Sequence, residues 1–155
     1  MSITVRPATP ADVPWILAEL RAFDRFFGAV HSLVPADPAY ATTQLHGLIR
    51  DHLFLVAVRN AEDEATPVGF IAGLLGPHFF NPGLQVLTEL FWWVPVAERG
   101  SRAGAHLLSA YLAYGRAHAD WVHMTLEEHS PVNPETLERR GFRRTERHYL
   151  LEVLR

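Results

Sequence analysis

The stretch ELFWWVPVAERGSRAGAHLLSAYL, Glu89 to Leu112, is the one whose reading decides the fold. It begins as an apolar, tryptophan-rich strand and breaks at Val94-Pro95. It then passes through Arg99-Gly100-Ser101-Arg102-Ala103-Gly104 and continues as a helix. The start of a helix carries about four backbone N–H groups without intrahelical acceptors, and its dipole favours negative charge there. Small residues at Gly100, Ser101, Ala103, Gly104 and Ala105 let an anion approach those amides, while Arg99 and Arg102 add fixed charge suited to phosphate. A tight solvent-facing turn that happens to hold two arginines has the same local sequence. The turn is not a Walker loop, since no Lys-Ser/Thr follows, and it is not a dinucleotide fingerprint.

Working outward, Ile3 to Arg6 alternates as a short strand closed by Pro7. Thr9-Pro10-Ala11-Asp12 reads as a helix cap, a first-turn proline and an acidic residue facing the dipole, with Trp15, Ile16, Leu20 and Phe23 continuing an amphipathic helix. Gly28 to Pro35 is a break, and Asp37-Pro38 starts a second helix striped by Tyr40, Leu45, Leu48 and Ile49. Leu53–Val58 and Val68–Leu75 read as strands around a polar hairpin turn, Asn60 to Thr66. Gly76 to Gly83 reads as a loop exposing His78, Phe79 and Phe80, before the longest strand, Val86 to Val94. A helix over Ser101–Ala119 leads to a strand over Trp121–Leu126. A short helix then starts at Ser130-Pro131 or Asn133-Pro134 and stops at Gly141, and a last strand falls near Tyr149–Leu154. The order predicts one layered α/β domain, residues 1–155, built on a mixed sheet.

Composition narrows the function classes. A chain of 155 residues that is 48% hydrophobic sustains one real core. Its net charge of -3 argues against a general nucleic-acid binder, which normally shows a basic face. The absence of cysteine excludes disulfide scaffolds, thiol catalysis and cysteine-rich zinc sites, and the histidines near the end form no compact ligand motif, so no metal is expected. The start lacks the apolar core of a signal peptide, and no apolar run nears the ~18 residues of a membrane helix. A soluble, cytoplasmic protein without membrane contact is the expectation.

In this setting the stretch from Glu89 resembles the acetyl-coenzyme A site of the GNAT (N-acetyltransferase) superfamily. Its pyrophosphate loop follows the fourth strand with the pattern Gln/Arg-x-x-Gly-x-Gly/Ala. Arg99 takes the first place and Gly104 the last, whereas Arg102 stands where the pattern has glycine. Arg6-Pro7-Ala8 with Asp12, Val68-Gly69-Phe70 and Arg140-Gly141-Phe142 resemble the family's opening, third strand and close, so the likeness spans nearly the whole chain. It implies a mixed, mostly antiparallel sheet of six to seven strands flanked by about four helices and splayed between the fourth and fifth strands. It also implies direct acetyl transfer from acetyl-coenzyme A, as co-substrate, to a primary amine of a small molecule or protein.

By that resemblance the backbone of Trp92, Trp93 and Val94 faces the pantetheine arm, and Arg99 through Ala105 hold the pyrophosphate. Ser130 and Asn133 are further coenzyme contacts or else helix caps. Glu89, a carboxylate in an apolar run, is the candidate base, and alternation along the strand puts it on the face of Phe91 and Trp93. The family's general acid is a tyrosine four residues before the Gly-Phe pair. Leu137 stands there, which leaves Tyr149, Tyr111 and Tyr114 as candidates, with packing the alternative role. Phe27, His78 and Phe80, with neighbouring aromatics, are the candidate acceptor wall. Exposed aromatics and family habit are compatible with a homodimer. A coenzyme-binding sensor without turnover on the same fold is the alternative reading.

Overall fold

The computed structural model describes residues 2–27, 37–62 and 64–146. Strand β1 (Ser2–Pro7) precedes a 3-10 turn, Pro10–Asp12, and helix α1 (Val13–Phe27). Helix α2 (Pro38–Asp51) leads into β2 (Leu53–Asn60), β3 (Ala65–His78) and β4 (Asn81–Trp93). A second 3-10 turn, Val96–Glu98, precedes α3 (Ala103–His118), β5 (Trp121–His123) and α4 (Glu135–Glu138). The strands form one sheet in the order β1-β2-β3-β4-β5, antiparallel except for the parallel β4–β5 pair. The described sheet thus has five strands rather than six to seven, and the strand expected near Tyr149–Leu154 lies outside the described residues.

Period-two alternation explains the layering. In β2, Phe54, Val56 and Val58 pack with α1 and α2, while Leu53, Leu55 and Ala57 pack with α3. Both faces of the strand are therefore covered, which is why it reads as an unbroken apolar run. Asp12 closes the entry to α1: its carboxylate accepts from the Thr9 backbone N–H at 2.7 Å and from both terminal nitrogens of Arg6 at 2.8 Å. The Arg6 hydrogen bonds lead the forces that hold its pKa down to about 2.

Two expectations are corrected here. Gly76 to Gly83 is not an open loop, because β3 runs on to His78 and β4 starts at Asn81, with Phe79 and Phe80 at the tip. β2 pairs with β3 only as far as Gly73, and both backbone groups of Gln85, opposite Pro77 on β4, bond to Asp120 instead, so neither neighbouring strand needs the missing N–H. The second correction concerns the face of Glu89. Ala72 pairs with Phe91 but Gly73 pairs with Glu89, so Leu90 is an unpaired bulge residue. Phe91 and Trp93 face α1, whereas Glu89 stands opposite Gly73 on the α3 side. A Cβ at Gly73 would come within 2.8 Å of the Tyr111 ring, so glycine is what admits that buried tyrosine.

The bounds of one helix and one strand also shift. α3 begins at Ala103 rather than Ser101, and the fifth strand is confined to Trp121–His123. For the last helix the Asn133-Pro134 start holds: the Asn133 side-chain oxygen accepts from the Glu135 N–H at 2.9 Å, and Gly141 ends the segment at φ 92°.

Candidate active site

β4 and β5 pair only over Val86–Thr88, so β4 runs on from Glu89 to Trp93 with no β5 partner among the described residues. The opening is a cavity of about 530 Å³, bounded by this strand end, the turn before α3, the end of α1 and the segment after β5. The splay expected between the fourth and fifth strands is therefore present, and the cavity is its product.

The turn is shaped for an anion. Gly100 adopts φ 95° and Arg102 adopts φ 70°, ψ 0°, the one non-glycine left-handed residue among those described. A left-handed arginine costs about 1–2 kcal/mol relative to glycine, so the surrounding turn imposes the conformation. Gly104 and Ala105 lie in the first turn of α3, where N–H groups lack intrahelical acceptors, and both line the cavity. A Cβ at Gly104 would meet Val94 at 3.6 Å and Trp92 at 3.8 Å, which is ordinary contact. The α3 end thus combines aligned amides, two arginines and little steric bulk, a donor set that fits a pyrophosphate.

Arg99 is less free than its sequence position suggests. Its guanidinium carbon lies 4.2 Å from the Phe26 ring centroid and 5.1 Å from that of Trp93, and its Nε donates to the Val94 carbonyl at 3.3 Å. Burial lowers its pKa, yet an arginine stays charged. It therefore clamps the turn to α1 while bringing charge to the cavity wall. Glu98, beside it, is ion-paired with Arg59 of β2 and ties the same turn to the sheet.

At the other end stands Glu89, 8% exposed and lining the cavity. Burial pushes its pKa up to about 7, a hydrogen bond from the Thr125 N–H at 3.1 Å opposes the rise, and the charge of Glu127 adds to it. The carboxyl thus titrates near neutrality, where a general base is most effective.

Of the sequence-predicted residues, Trp92, Trp93, Val94, Arg99, Gly100, Arg102, Ala103, Gly104, Ala105, Ser130 and Phe27 line this cavity with Glu89. The Trp93 indole is core: its N–H donates to Glu19 at 2.8 Å and its ring meets Phe23 edge-on. The side chains of Ser101 and Asn133 serve local turns, accepting from the Ala103 and Glu135 N–H groups. His78 and Phe80 are not brought to the cavity. They sit at the β3–β4 tip, where Phe80 is 85% exposed and His78 packs against Trp121. Tyr149 lies outside the described residues. Tyr111 is buried beneath Glu89 and donates to the His123 carbonyl at 3.2 Å, and Leu137 packs on Leu108 and Leu112. Sequence reasoning missed Thr125 and Glu127; their signal is the splay itself, which points the chain leaving β5 back at Glu89.

No protein-family model matches the sequence, and no curated protein matches it. Solved structures share its fold along the whole chain. A transcriptional regulator from Bacillus halodurans C-125 superposes with a TM-score of 0.75 at 17% identity, covering 98% of this chain and 100% of that one. A predicted acetyltransferase with acetyl-coenzyme A from Clostridium acetobutylicum gives 0.70 at 11% identity, covering 97% and 96%. A GNAT family acetyltransferase from Staphylococcus aureus gives 0.64 at 14%, covering 99% and 100%. With its splayed sheet and left-handed turn before α3, the chain has the fold of the GNAT acetyltransferases.

Proposed function

We propose that this chain is an acetyl-coenzyme A dependent N-acetyltransferase acting on a primary amine. One observation carries the reading: a buried carboxyl titrating near neutrality and an amide-rich, arginine-bearing helix start face the two ends of one cavity. The turn at Gly100–Ala105 holds the pyrophosphate, and the unpaired edge of β4 at Trp92–Val94 offers backbone groups to the pantetheine arm. Glu89 takes a proton from the bound ammonium, directly or through water, freeing the nitrogen lone pair. Nitrogen attacks the thioester carbonyl carbon, its second proton passes to water, the carbon–sulfur bond breaks as the carbonyl re-forms, and the thiolate leaves to be protonated by solvent. Moving a proton from an amine of pKa about 10.4 costs about 8 kcal/mol against an ordinary carboxylate but about 5 against one at about 7. The elevation of Glu89 thus removes roughly 3 kcal/mol from the cost of that proton transfer.

The test is Gly104→Glu. Glutamate in the first turn favours helix α3 over glycine, yet its charge repels a pyrophosphate there. Calorimetry is expected to find acetyl-coenzyme A binding weakened by about tenfold or more, with no loss of thermal stability. Undetectable binding by the unaltered protein, or unchanged binding by the variant, overturns the reading. A coenzyme-binding sensor is the second reading, favoured by Leu137 in the tyrosine position and by the burial of Tyr111. It is told apart by binding without thiol release across an amine library.

A further inference from the structure

One buried hydroxyl stands where two strands part. β5 follows β4 only as far as the Thr88–His123 pair, and there the Tyr111 hydroxyl donates to the His123 carbonyl at 3.2 Å. Two residues on, the Thr125 N–H donates to a Glu89 carboxylate oxygen at 3.1 Å. The segment from His123 to Thr125 is thus held at one end by α3 and at the other by the candidate base. The Tyr111 side chain is fully buried beneath Gly73, the residue that pairs with Glu89, and a Cβ at Gly73 would come within 3.0 Å of the hydroxyl. Burial, and then the charge of Glu89, push the pKa of Tyr111 up, so the hydroxyl keeps its proton. Tyr111 does not line the cavity, so that proton does not face a bound thioester.

On the acetyltransferase reading, we propose that Tyr111 is a positioning residue: its hydroxyl fixes the end of β5 so that the Thr125 N–H meets the Glu89 carboxylate. Phenylalanine would fill the same space but leave the His123 carbonyl without this donor. A partly buried acceptor stripped of its partner shifts to find another, and the segment carrying Thr125 shifts with it. A hydrogen bond to the ionised form favours ionisation, so weakening it makes the base hold its proton more tightly. Among the described residues, the other charged groups lining the cavity with Glu89 are Glu98, Arg99, Arg102 and Glu127, while β5 contributes the exposed His123. The substitution removes none of them.

The experiment compares Tyr111→Phe with Leu107→Val, a small loss of packing in the same buried cluster. In the unaltered protein the Thr125 amide proton shift, followed by nuclear magnetic resonance from about pH 5 to about pH 9, should track the ionisation of Glu89. Glu89→Gln should abolish that titration. Tyr111→Phe should lose about half or more of its amplitude and raise the kcat/KM midpoint by about half a unit or more, with acetyl-coenzyme A affinity held within about twofold. Leu107→Val should lower the temperature of unfolding and leave both readings where they were. An amide titration or a midpoint that Tyr111→Phe leaves unchanged, or the same changes in Leu107→Val, overturns the proposal. The amide signal needs no turnover. A protein that binds acetyl-coenzyme A without releasing thiol therefore overturns the enzyme reading alone, and the spectrum still decides whether Tyr111 positions Thr125.

Discussion

Glu89 acquires its chemistry from position. Its folded pKa of about 7 lies above the ordinary 4.5, so between those values the native state holds the proton that the unfolded chain releases. The stability tied to this group is complete below the ordinary value and is lost as pH rises through about 7. Two consequences follow in opposite directions. The rate kcat/KM should rise with pH about a midpoint near 7, measured with a saturating coenzyme. Glu89→Gln should lower kcat by about 100-fold or more, yet raise stability near pH 8 by roughly 3 kcal/mol and leave it unchanged near pH 4, as followed by thermal unfolding. A carboxylate in an apolar run was legible in the sequence. Its partners were not, because Thr125 and Glu127 reach it only through the divergence of two strands far apart in the chain.

At the scale of the element, the bulge at Leu90 sets both the face of Glu89 and the course of β4. An extra residue bends its strand and increases the local twist, which here coincides with the point where β4 leaves β5. Glu89 and Phe91 already face opposite sides, as adjacent residues of a regular strand do, so deleting Leu90 keeps every flanking side chain on its own face. The shortened strand should therefore fold, with circular dichroism close to the parent. Its acetyl-coenzyme A affinity should fall by about tenfold or more as the splay narrows. Deletion that leaves affinity intact would show the splay to be independent of the bulge. The bulge was hidden in the sequence because Leu90 to Trp93 is apolar on both faces of β4, so a missed beat in the alternation leaves no trace. The β3–β4 turn was misread for the converse reason. Gly76-Pro77 and Asn81-Pro82-Gly83 carry every mark of a loop, yet proline is tolerated where a hairpin outruns its neighbouring strands.

For the whole molecule, the layered order was readable because long apolar runs, caps and breaks each have local causes: Asp37 does accept from the Tyr40 N–H, and Gly141 does close, at a positive φ, the turn that follows its helix. The strained turn was readable only as a departure from a pattern, Arg102 in a glycine place. Its left-handed conformation ties global stability to one side chain. Arg102→Gly should raise unfolding free energy by about 1 kcal/mol, read by denaturant titration, while weakening acetyl-coenzyme A binding through the lost charge. Laboratory evolution would then face two pressures at this codon. A library sorted only for survival of heating should drift to glycine, whereas one sorted for growth on scarce coenzyme should keep arginine. The residue that wins would disclose which of the two the turn was shaped to serve.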